Sequence, residues 1–114
     1  MHKNDQLAVN FILARGAEIY AAQKRFGADP QILASDAAYF NALAMGILQS
    51  SSAAGRLSSD FRGKNAQVSW DRIDGWKEQI VNGYAAIGAQ DLWIMLEDFA
   101  ELYGVCFVAA DSQV

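Results

Sequence analysis

A chain of 114 residues, 53% hydrophobic and 19% charged, has room for one domain, 1–114, and too much apolar content to stay disordered. Its net charge of −4 does not suggest a general nucleic-acid binder. No apolar run reaches the roughly 18 residues of a membrane span, and the start, MHKNDQLAVNF, lacks the apolar core of a secretory signal.

Cys106 is the sole cysteine, so no internal disulfide is expected, and a cytoplasmic protein is the simplest reading. Among Val105, Phe107 and Val108 it reads as a small buried hydrophobe. Charge is unevenly spread. All nine Lys and Arg fall within residues 1–77, beside seven acids, whereas 78–114 carries six acids and no base. Arg56, Arg62, Lys64, Arg72 and Lys77 form a loose mid-chain basic group, either solvated surface or a face for RNA or a partner.

A single proline and abundant Ala, Leu, Ile and Gln favour helices. The first is expected over about Asp5 to Phe26, with Leu7, Phe11, Ile12, Ile19 and Tyr20 on one broad apolar stripe and Gly27 as its stop. Pro30 suits the start of a second helix running to about Leu57, with a break near Ser35-Asp36. In it, Phe40, Leu43, Ala44, Ile47, Leu48 and Ser51 keep the 3-4 spacing. FRGKNAQ reads as a polar connection. A third helix starts near Ser69 as N-cap, with Asp71 and Asp74 in its first turns, and Ile73, Lys77, Ile80 and Tyr84 recur along it at spacings of four, three and four. A fourth covers about Gln90 to Tyr103, with Leu92, Leu96, Phe99 and Tyr103 inward and Glu97, Asp98 and Glu101 in water. The tail VCFVAADSQV is expected to pack a little and fray. The fold class is all-α, an antiparallel helical bundle. No Gly-rich phosphate loop and no Cys/His cluster points to a cofactor or a metal.

The block SSAAGRLSSDFRGKNAQVSWDRIDGWKEQIVNGY carries a resemblance. Ala53, Ala54, Arg56, Leu57 and Ser58, then Trp70, Ile73, Gly75, Ile80, Val81 and Tyr84, resemble the HepT-like branch of the HEPN domains. Its members read G-E-A-A-x-R-L-S and, after a polar loop, P-W-x-x-I-x-G-M-R-N-x-L-V-H-x-Y. Trp93 lies where that family often has a tryptophan. The match is ungapped from about Ser51 to Trp93. The resemblance implies a four- or five-helix bundle paired as a two-fold homodimer, with an R-x4-H ribonuclease site built by both subunits in the dimer cleft. It also implies a nucleotidyltransferase antitoxin as partner, able to transfer AMP to the motif tyrosine, here Tyr84.

The departures fall on the chemistry. Lys77 stands for the motif arginine, Glu78 for the asparagine after it, and Asn82 for the histidine. Ser52 stands for the glutamate, Ser69 for the proline and Trp76 for the methionine; the larger Trp76 is expected at the cleft or in the core. Cleaving RNA without a metal requires a proton to leave the ribose 2′-hydroxyl and charge to be stabilised on the phosphate. An amide does not titrate, so Asn82 cannot act as the acid or base. Losing such a group commonly removes ~10²–10⁴-fold of rate. Lys77 keeps a charge but not the planar fork that holds a phosphate bidentately, and Glu78 sets a negative charge beside it. Lys77 and Asn82 also lie about 140° apart on an ideal helix. The only histidine, His2, sits at the N-terminus.

The expected function is therefore a HepT-like protein of toxin–antitoxin type whose RNA cleavage is weak or lost. Lys77 and Asn82 occupy the catalytic positions, and Ser52, Arg56, Arg72 and Glu78 line the cleft or face RNA. The alternatives are an active ribonuclease using the altered motif, and a non-catalytic helical interaction protein.

Overall fold

The computed structural model describes residues 1–83 and 86–112. Their elements are helices, in the order α1 (Lys3–Phe26), α2 (Pro30–Ser35), α3 (Ala37–Ala54), α4 (Ser59–Lys64), α5 (Trp70–Gly83) and α6 (Ala89–Asp111). None of these is long and apolar enough to cross a membrane.

The punctuation follows local chemistry. Gly27 ends α1 with a φ of 105°, a backbone conformation open to glycine, and its N–H donates to the Gln23 carbonyl at 2.8 Å. Pro30 occupies the first turn of α2, where its missing N–H costs nothing, and the Asp29 carboxylate accepts from the Gln31 N–H at 2.8 Å. The expected break at Ser35-Asp36 is present. Asp36 ends α2 and caps α3, accepting from the Tyr39 N–H at 3.1 Å.

That cap sets the register of α3. Tyr39, not Phe40, is the fully buried aromatic of its first turn, and Phe40 is only half-buried. Tyr39 donates its hydroxyl proton to the Gly27 carbonyl at 3.0 Å and stacks on Phe26, ring centroids 5.0 Å apart.

Helix α3 packs against α1 on one flank and α5 on the other, and α6 packs on α1, α3 and α5. The core between them holds Val9, Ile12, Leu43, Ile47, Ile73, Trp76, Leu92, Phe99 and Leu102. Helix α1 comes close to α6 through Gly16, where the Tyr103 ring occupies the space a Cβ would need. Edge contacts between Tyr20 and Tyr103, centroids 5.1 Å apart, close that seam.

Four expectations are corrected. The buried arc of α1 is Asp5, Ala8, Val9, Ile12, Gly16 and Ile19, so Leu7, Phe11 and Tyr20 lie outside it, at 61%, 38% and 37% exposure. Small residues on this arc let the helices approach, which an apolar count overlooks. FRGKNAQ is not a bare connection: Ser58 caps α4 by accepting from the Phe61 N–H at 3.1 Å, and Phe61 is buried. Helix α6 continues two turns past Tyr103, because Leu102 and Cys106 extend the 3-4 spacing of Phe99 into the core. Asp98 does not face water freely; Arg72 binds it, and its side chain is 13% exposed. Burial of Cys106 is as expected, and it pushes the thiol up to about 12, leaving it protonated at neutral pH.

Candidate functional site

Helix α5 is fixed in rotation by what it buries and by its clamps. Ile73, Trp76 and Ile80 face the core. The buried Ser51 hydroxyl donates to the Ile73 carbonyl at 2.7 Å, tying α3 to α5. Arg62 of α4 makes a bidentate pair with Asp74, at 2.7 and 2.8 Å, and also donates to the Ala54 carbonyl at 2.7 Å. Its guanidinium lies 4.8 Å from the Trp70 ring centre. The Trp70 indole N–H is shared between the carbonyls of Arg62 and Asn65, at 3.2 and 3.1 Å. On the opposite flank Arg72 grips Asp98 of α6 with two bonds of 2.8 Å.

The hydrogen bond from Arg62, with its charge, holds the Asp74 carboxyl below its usual value of 3.8. A depressed folded value stabilises the protein fully above that pH, and the gain is lost as pH falls through the folded value. Thermal stability is expected to fall less steeply between about pH 5 and about pH 3 in Asp74→Asn than in the natural chain. The pair is partly exposed, so the difference is modest. Parallel melting curves would count against the clamp.

With α5 held this way, Lys77, Glu78 and Asn82 are all exposed. Lys77 lies on the flank toward α3, one turn before Val81. Val81 is 60% exposed and lines a groove of about 430 Å³ with Ile80 and with Asn41, Met45 and Leu48 of α3. Arg72 lies on the flank toward α6. Asn82 is about 140° round the helix from Lys77, in the last turn of α5 and not at its cap, because the helix runs on through Gly83. Ser52 is half-buried on α3, and Arg56, one turn further on, lines a separate cleft beside α1. Tyr84 lies outside the described residues.

Within one chain these positions do not converge on a common point. The basic group expected from the sequence is divided as well: Arg62 and Arg72 are neutralised by Asp74 and Asp98, while Arg56, Lys64 and Lys77 carry no ion pair among the described residues. Of the two places expected for Trp76 the structure gives the core, at 2% exposure. His2 is exposed, 3.9 Å from Asp60, on α1's leading end and not on α5. Among the described residues no three of His, Cys, Asp and Glu come together to hold a metal.

Two features lie outside the motif. Asp5 is buried at 3% exposure, and its carboxylate accepts from both the N–H and the hydroxyl of Ser58, at 2.8 and 2.6 Å. Only the pairing of the chain's ends with its middle reveals it. The other is visible in the sequence: from Ala37 to Gly55 there is no charged residue, although Ala38, Asn41, Ala42 and Met45 are exposed. Comparison with protein-family models, curated proteins and solved structures gives no match.

Proposed function

We propose that this chain is a HepT-like HEPN protein of toxin–antitoxin type whose ribonuclease chemistry is lost. The observation that carries the reading is the pair Lys77 and Asn82, held by α5 at exposed sites on different sides of the helix. They occupy the arginine and histidine positions of the motif that the block from Ser51 to Trp93 resembles. The Asn82 amide, in the histidine position, neither takes nor gives a proton, so it does not remove the 2′-hydroxyl proton. Lys77 offers a point charge beside Glu78, and of the mid-chain basic group only Arg56, Lys64 and Lys77 carry no ion pair among the described residues, a sparse footprint for RNA.

The role left to such a chain is binding, in the cytoplasm, as a homodimer and with a nucleotidyltransferase partner that acts on Tyr84. The uncharged outward face of α3 supports the pairing. Exposed helix faces normally carry charge, and Met45, 51% exposed, adjoins Val81 across the α3–α5 groove. Light scattering is expected to give a dimer for the natural chain and a monomer for Met45→Glu, with helicity unchanged. A natural monomer at high concentration would remove the composite cleft.

The activity test is cleavage of single-stranded RNA by the purified natural chain in the presence of a chelator. No cleavage above buffer is expected, and Lys77→Ala is expected to change nothing. Cleavage that disappears in Lys77→Ala would replace this reading with an active ribonuclease.

A further inference from the structure

The seam between α1 and the C-terminal end of α3 holds a cleft of about 590 Å³ lined by Asn4, Leu7, Ala8, Phe11 and Arg56. Positions 4, 7, 8 and 11 lie on one face of α1, at the spacing that meets another helix. Leu7, at 61% exposure, and Phe11, at 38%, are large apolar side chains on the outward face of α1. Arg15, one turn further on, lies over the Phe11 ring at 5.1 Å and holds it in place. Arg56 stands at the α3 rim, exposed and without an acid partner among the described residues.

We infer that this cleft docks an amphipathic helix of a partner protein, with apolar anchors at i, i+3 or i+4, and i+7, and a carboxylate that pairs with Arg56. The cleft follows about seven residues of α1, roughly 10 Å or two helical turns, which is the footprint of a helix laid in a groove. Leu7, Ala8 and Phe11 supply the apolar floor, and Asn4 adds a hydrogen-bonding amide at one end. The charge sets the class of ligand. The cleft lining holds Arg56 and no acid, so a carboxylate on the docked helix finds a partner there and a lysine or arginine does not. A nucleic acid is disfavoured, because one free cation neutralises one phosphate and the Phe11 ring face already carries Arg15. The inference is independent of the ribonuclease reading, since Lys77 and Asn82 lie on α5, on the opposite flank of α3 from α1.

The test is selection from a displayed library of two- to four-turn helical peptides, with the folded full chain as bait. Three baits are used: the natural chain, Arg56→Glu and Leu7→Asp. Both altered residues are exposed, so each variant is expected to keep the natural helicity and melting temperature. The natural bait is expected to enrich helices with a spaced apolar face and a carboxylate, and Arg56→Glu to enrich lysine or arginine at that position. Leu7→Asp is expected to lose at least ten-fold of the enrichment. Identical selections on the natural and Arg56→Glu baits would overturn the charge assignment. Enrichment that persists on Leu7→Asp would overturn the site. A dimer of the natural chain that Leu7→Asp dissociates would assign the cleft to a second copy and overturn the foreign partner. RNA that competes the selected peptides off would overturn the protein ligand.

Discussion

Alanine in place of Trp76 is expected to remove about 3–5 kcal/mol of stability. Trp76 is the largest of the fully buried side chains and faces α6 from the middle of α5. Its loss leaves a cavity that Ile73 and Ile80, fixed on the same helix, cannot collapse to fill. For a domain at the lower end of ordinary stability, about 5 kcal/mol, the variant is close to unfolding at room temperature. Urea denaturation reads the effect as a lower midpoint with an unchanged slope. Trp76→Met, the residue that the HepT-like motif carries here, is expected to cost clearly less than alanine, because the flexible thioether fills part of the void. Equal losses for the two would mean that the indole does not sit in the core as described.

Asp5→Ala is expected to cost about 2–4 kcal/mol, more than a typical surface change. The carboxylate is buried and accepts two short bonds from Ser58, and the Ser58 hydroxyl in turn caps α4. Removing Asp5 leaves the part-buried Ser58 N–H without its acceptor. The loss passes down the chain, because α4 supplies Arg62, which clamps Asp74 and the end of α3. A double-mutant cycle with Ser58→Ala separates the contact from the cap. A coupling of about 1–2 kcal/mol is expected between the two sites, and purely additive losses would show that Asp5 stabilises by another route.

The helix positions were largely readable from local signals, and the failures share a cause. Gly27, Pro30 and the Ser35-Asp36 break act within a turn or two, so they can be read from neighbours alone. Leu7 and Phe11 were misplaced because hydrophobicity ranks them above Ala8 and Gly16, whereas packing selects small residues where α1 meets its neighbours. The last turns of α6 were missed because Val105, Phe107 and Val108 look like an ending, but Leu102 and Cys106 dock into the core and hold the helix. The fates of Arg62, Arg72 and Asp98 depend on partners 12 and 26 residues away, which no local pattern encodes. For the candidate site, the divergence of Lys77 and Asn82 follows from helical period alone, whereas the period groups Lys77 with Ile73 and Ile80, and its exposure beside the buried Trp76 needed the fold. The neutralised arginines and the Arg56 cleft needed the fold.

The measurement that bears most directly on the central claim compares RNA cleavage by the natural chain with that by the double variant Lys77→Arg, Asn82→His. Both are used folded, with a chelator present. A silenced ribonuclease predicts that the double variant cuts and the natural chain does not. Equal cleavage by the natural chain would contradict the chemical argument, because Lys and Asn would then suffice. A folded, dimeric double variant that leaves RNA intact would contradict the HepT-like origin of the site.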